Sequence, residues 1–152
     1  MKETQRIASL FEELYDGTPW IDVSIAGTLT KITAEEAAAK VLPGRNSIWE
    51  IVNHLVCWRE NVLQRVNGEV LPPPENNYFM PVADVSELAW KNTLKRFEAS
   101  QQQWISFLEN FNEKDFEIVY LKKKFTYYEQ MLGILQHDAY HLGQIALIKK
   151  LF

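Results

Sequence analysis

Apolar residues return along this chain with the period of a helix, and four stretches hold that period long enough to bury a face. In the first, Ile7, Leu10, Phe11 and Leu14 fall at i, i+3, i+4 and i+7, which predicts a helix from Lys2 to Tyr15 stopped by Gly17 and Pro19. In the second, Ser47 and Glu50 form a capping-box signature that opens a helix to about Asn67, with Gly68 as its stop. Its apolar side is Ile48, Ile51, Val52, Leu55, Trp58, Val62 and Val66, and His54 lies among them. The third starts near Asp84, where Asp84 and Glu87 suggest the cap, and runs to about Phe111. Its stripe of Trp90, Leu94, Phe97, Gln101, Trp104, Leu108 and Phe111 steps alternately by four and three residues, with Gln101 the one polar member. The fourth opens on a Thr126/Glu129 capping box and runs to about Leu151, its inner face read as Gln130, Gly133 or Ile134, His137, His141, Gln144 and Ile148.

Between these, Trp20 to Thr30 alternates weakly and reads as an ordered connection or a short helix. Thr33 and Glu36 cap a short Ala-rich helix, Glu35 to Leu42, that Pro43-Gly44 ends. The segment Glu69 to Ala83 holds Pro72-Pro73-Pro74 and Pro81 and cannot be regular helix. It is long enough to span the ~30 Å of a 20-residue helix, so the second and third long helices can run parallel. Asn112 to Phe125 is a further connection, with Lys122-Lys123-Lys124 read as a solvated basic loop. Four amphipathic helices in one domain, residues 1–152, predict an all-α four-helix bundle with a long crossover between its second and third long helices.

Composition narrows the classes. Hydrophobic residues at 47% and charged residues at 24% describe an ordinary globular chain. A net charge of −4 argues against a sequence-independent grip on phosphate backbones, so no nucleic-acid partner is expected. No 18-residue apolar run exists and MKETQRIASL lacks the apolar stretch of a signal peptide, which predicts a cytoplasmic protein without a membrane partner. Cys57 is the only cysteine, so no internal disulfide is possible. It reads as an inert small hydrophobe rather than a ligand or nucleophile.

The candidate chemistry sits in the histidines. His137 and His141, four apart, share one face of the last helix, and the only other histidine, His54, lies on the inward side of the second. Each alone would more often be a hydrogen-bonded core residue. Three inward imidazoles with none at the surface would be costly to bury without a shared partner, and a divalent metal satisfies three at once. His-Asp-x-x-His is not the zincin pattern, which needs Glu after the first His. Asp138 points about 100° away from His137, so a direct catalytic role is not expected of it. Ferritin-like di-iron chemistry is excluded by the lack of paired Glu-x-x-His motifs. Glu50, one turn before His54, and Gln144, three residues after His141, could orient an imidazole or a bound water, although capping explains Glu50 equally. Gly133 leaves room for a ligand or lets helices pack closely, and Trp58 reads as core. Imidazoles alone do not choose among zinc, nickel, iron and manganese, with zinc or nickel expected first. No catalytic residue is identified.

Two stretches carry a resemblance: Asn46-Ser47-Ile48-Trp49-Glu50-Ile51-Val52-Asn53-His54 and His137-Asp138-Ala139-Tyr140-His141-Leu142-Gly143-Gln144-Ile145. With them the chain resembles the DinB/YfiT-like family of metalloenzymes, and Pro19-Trp20-Ile21-Asp22-Val23-Ser24 and Gly44-Arg45-Asn46 are similar to a subgroup of it. The resemblance implies an up-down-down-up four-helix bundle, often dimeric, with His54, His137 and His141 at the positions of three metal ligands. It also implies a small-molecule substrate. Relatives include transferases and isomerases that use the metal to activate a low-molecular-weight thiol, and others assigned as hydrolases. Thiol S-transfer to an electrophile is the first expectation, since the chain offers no convincing nucleophile of its own. A metal-dependent hydrolase and a non-catalytic metal- or ligand-binding bundle are the alternatives.

Overall fold

The computed structural model describes residues 1–122 and 124–152, without the side chain of Lys122. Among them are α1 (Glu3–Tyr15), α2 (Ile25–Leu29), α3 (Ala34–Ala38), α4 (Ile48–Val66), α5 (Glu87–Asn110) and α6 (Tyr127–Lys149). No strand occurs among the described residues, only an isolated bridge between Val119 and Thr126. No helix among them is long and apolar enough to cross a membrane. Of the basic run expected to be a solvated loop, Lys123 and the Lys122 side chain lie outside the described residues, and Lys124 is exposed.

The helices start where local chemistry can satisfy their first amides. At α3, α4 and α6 the hydroxyls of Thr33, Ser47 and Thr126 accept from the amide three residues on, and Glu36, Glu50 and Glu129 accept from the cap amides in return. At α5 the expected Asp84 cap gives way to Ser86, whose Oγ accepts from the Ala89 amide at 3.2 Å. Asp84 instead accepts from the Ser86 amide at 2.9 Å, and Glu87 reaches across to the Ala34 amide at 3.0 Å. A carboxylate at the first position of α5 thus supplies an acceptor to the start of α3, which propensity along one segment cannot show. Trp20 to Thr30 resolves into α2, capped by Ser24. The helix expected over Glu35 to Leu42 stops at Ala38, because Ala39 turns extended (φ −66°, ψ 131°) well before Pro43.

Long-range pairs fix how the long helices meet. Phe11 of α1 stacks on Trp104 of α5 with centroids 5.0 Å apart, and Tyr15 meets Phe97 edge-on. Trp49 of α4 donates its indole N–H to Thr93 of α5 at 2.9 Å, and ten residues later Arg59 donates to Gln101. On its other side α4 brings His54 against α6. Burial divides into two apolar clusters. One gathers Leu29, Ala37, Ile48, Val52, Leu55, Trp90, Leu142 and Ile145. The other gathers Ile7, Phe11, Val62, Trp104, Leu108, Met131 and Ile134. Each fully buried Leu, Ile or Met here contributes on the order of 1.5–3 kcal/mol of transfer free energy.

The buried stripe of α6 keeps Ile134, His141 and Ile148 of the inner face expected of it and replaces the rest. Met131, Ile134, Asp138, Leu142 and Ile145 go deepest, while Gln130, Gly133, His137 and Gln144 are half-buried beside them. The apolar area of Met131, Leu142 and Ile145 outweighs that of the polar and glycine positions, so the helix rotates to bury it. That rotation leaves the histidines at the edge of the core, lining a cleft.

Candidate metal centre

Two helices and one loop build the site. The rigid middle of α4 carries His54, and successive turns of α6 carry His137 and His141. The rings turn their Nε2 atoms toward one another: His54 Nε2 lies 2.9 Å from His137 Nε2 and 3.1 Å from His141 Nε2. Their opposite nitrogens say which tautomer is present. His54 Nδ1 is 2.6 Å from the Asn77 carbonyl oxygen, which can only accept, so Nδ1 carries the proton. His141 Nδ1 is 2.7 Å from Gln144 Oε1 and donates to it in the same way. Both rings therefore present unprotonated Nε2 lone pairs to a common point, and His137 adds a third nitrogen.

Electrostatics hold the rings neutral. Burial pushes His54 down to about 4, with the Asn77 carbonyl working the other way and His141 adding to the fall. Burial likewise takes His137 to about 4, helped by the neighbouring imidazoles, and it lowers His141 against the opposing bond to Gln144. Neutral imidazole is the form that ligates a metal. The donor set thus fits a divalent ion with nitrogen preference, since lone pairs this close repel unless something electropositive lies between them. Among the described residues, these three side chains form a group whose donor atoms all lie within 4.8 Å of one another.

The crossover contributes more than a link. Asn76, Asn77 and Tyr78 take left-handed φ values of 48°, 52° and 63°, a strained run that aims the Asn77 carbonyl back at α4. It also places Phe79 flat on His54, with ring centroids 3.9 Å apart and planes 7° apart. The Asn77 side chain accepts from the Trp58 indole at 2.9 Å. The sequence reading missed Asn77 and Phe79. The signal was there in Asn76-Asn77, because asparagine is the residue besides glycine that most readily turns left-handed.

The other nominated residues sort clearly. Gln144 stands behind His141 as described. Glu50 is buried, accepts from the Ser47 amide at 2.8 Å and pairs with Lys40 at 3.0 Å, so its carboxylate serves the cap. Cys57 faces Arg96, 3.6 Å away, and is not in the histidine group. Trp58 is half-buried, packs against the second apolar cluster and also walls a cavity, with its indole N–H reaching Asn77. A Cβ on Gly133 would meet nothing within 4 Å, so this glycine opens space and does not bring helices together. Asp138 is fully buried and lies 3.4 Å from Arg59 Nε, outside the histidine group. Cavities of about 530 Å³ and 610 Å³ flank the cluster, and His137 and Asn77 line both.

A family model of the DinB superfamily matches residues 24–145, a span that includes all three histidines. The chain belongs to the DinB superfamily. No curated protein and no solved structure matches the chain significantly. Membership in the DinB superfamily agrees with the all-helical architecture and the clustered histidines, and the activity must be argued from the site.

Proposed function

We propose that His54, His137 and His141 hold one divalent transition-metal ion, zinc or nickel ahead of iron or manganese, and that the protein uses it to activate a low-molecular-weight thiol for S-transfer to a small electrophile. The observation that carries this reading is the convergence of three Nε2 atoms while Asn77 and Gln144 pin two of the rings in the ligating tautomer. An ion there supplies Lewis acidity, which lowers the pKa of a thiol or of water. The chain's own residues then divide the work. Asn77 and Gln144 orient their imidazoles, Phe79 shields one face of His54 from water, and the two flanking cavities offer separate room for a thiol and an electrophile.

Thiol transfer is preferred to hydrolysis for a specific reason. Hydrolysis usually wants a general base beside the attacking water, and the two buried carboxylates nearest in sequence are committed elsewhere, Glu50 to Ser47 and Lys40, Asp138 to Arg59. The same proposal takes residues 1–152 as one domain, a homodimer in the cytoplasm, and an up-down-down-up bundle. The last is supported by the start-to-start matching of α4 with α5.

Elemental analysis of the purified protein after loading with single divalent metals, repeated on His137→Ala, tests the site. About one equivalent per chain, lost in the variant, is the expected result. Cobalt-substituted protein should change its visible absorption when a small thiol is added. Metal without any spectral response to saturating thiols would overturn the transfer reading and leave ester hydrolysis to be assayed. Full metal with no turnover across electrophile and ester panels would leave a binding bundle.

A further inference from the structure

The larger cavity flanking the cluster is a groove between α4 and α6 with His137 toward one end and Arg65 toward the other. Its middle is apolar: Val62, Leu132 and Ile134 line it, and Gly133 leaves the floor open where any side chain would intrude. Arg65 is held between two rings, its guanidinium carbon 5.3 Å from the Trp58 centroid and 5.2 Å from that of Tyr120. Stacking fixes the guanidinium plane and leaves its edge free to donate. Arg65 forms no ion pair among the described residues, and its Nε is buried without a partner.

A second buried donor without a partner lines the same groove, Gln130 Nε2. Buried donors left unpaired destabilise the fold, so two in one cavity call for an acceptor. The one carboxylate in the lining, Glu129, is turned to the Thr126 cap, its Oε2 accepting from the amide at 2.7 Å and the hydroxyl at 3.1 Å, and pairs with neither buried donor. With one guanidinium and one nearby carboxylate, the groove suits a monoanion better than a phosphate dianion. Glu129 and His137 stand two turns of α6 apart, about 12 Å.

We infer that this groove is a binding site for a small elongated carboxylic acid, its carboxylate held by Arg65 and Gln130 and its apolar body lying over Gly133 toward His137. The pocket stands without a metal; that its occupant is one of the two reactants in S-transfer rests on the proposed function. The site selects acids by charge at one end and leaves the other end of the molecule beside the imidazoles.

Calorimetric titration with 4-phenylbutanoate and its neutral counterpart 4-phenylbutan-1-ol, on metal-free and zinc-loaded protein, tests this. The acid should bind about tenfold more tightly than the alcohol, with amide shifts centred on Gly133 and the Trp58 indole. Arg65→Gln should remove the preference while circular dichroism stays native, Arg65→Lys should keep part of it, and Gly133→Phe should block both ligands. Equal binding of acid and alcohol, a preference that survives Arg65→Gln, shifts located elsewhere, or no binding of either would each overturn the site. Acid binding in a protein that never takes up metal would sink the proposed function and leave the groove. Metal and thiol uptake without acid binding would do the reverse.

Discussion

His137 and Asp138 are neighbours on α6, yet they belong to two buried polar groups that solve the same problem in opposite ways. Asp138 faces Arg59, which donates to Gln101 and lies over the rings of Phe11 and Phe97 at 5.4 Å and 5.2 Å. Arg59 is 1% exposed and Asp138 0%. Burial works against charge in both, pushing Asp138 up to about 6 while Arg59 pulls it back, and depressing Arg59 while Asp138 supports it. The atoms left over there are complementary, donors on one side and acceptors on the other. The atoms that face each other between His54 and His141 are alike, lone pair against lone pair. Complementary atoms need only each other, whereas like atoms need a third party, and that difference separates a structural ion pair from a candidate metal centre.

The largest effect should come from breaking the pair. Asp138→Ala leaves Arg59 charged and uncompensated between the two apolar clusters, and should cost about 3–5 kcal/mol by denaturant unfolding. Replacing both, as Arg59→Met with Asp138→Leu, should recover most of that loss. If the double variant were as unstable as the single, the pair would be holding more than itself. His141→Ala should behave in the contrary fashion: tight metal binding disappears by elemental analysis, while the metal-free thermal midpoint moves little, because a repelling lone pair has gone.

The pH dependence of metal-free protein gives a smaller test of the same contrast. The folded histidines sit below their unfolded value of 6.5, two of them at about 4, so the unfolded chain takes protons first and stability falls as pH drops from about 6.5 to about 4. Asp138, raised from 3.8 to about 6, acts oppositely and gains stability as pH falls through that range, one group against three. Net acid loss is therefore expected in chelator-treated protein, and zinc should raise stability throughout that range without flattening the slope, because metal-bound imidazoles stay unprotonated to lower pH still. Phe79→Ala should shift His54 back toward its ordinary value by uncovering its ring, read by NMR titration of the imidazole protons. The smallest effect calibrates α6 itself. Gly143 is exposed in mid-helix with room for a Cβ, so Gly143→Ala should add up to about 1 kcal/mol and leave metal content unchanged.

Much of this was legible in the chain. The capping boxes at Thr33, Ser47 and Thr126 are local hydrogen bonds, and they form where the sequence spells them. The i, i+4 step puts His137 and His141 on one face of any helix. Arg59 was not legible, since on α4 it looks like any charged residue on a solvated face. Gln101 interrupted an apolar stripe and hinted at a buried partner without naming it.

The sequence by itself determined the four long helices, the caps at Thr33, Ser47 and Thr126 and the pairing of two histidines, because each rests on contacts within four residues. Only the tertiary structure decided which way α6 rolls, that His54 closes the cluster from 83 residues away, and that a left-handed turn at Asn77 locks its tautomer. It also decided that Asp138 meets Arg59. Those outcomes depend on how much apolar surface each rotation buries across several helices at once, a quantity that belongs to the packed chain and to no segment of it.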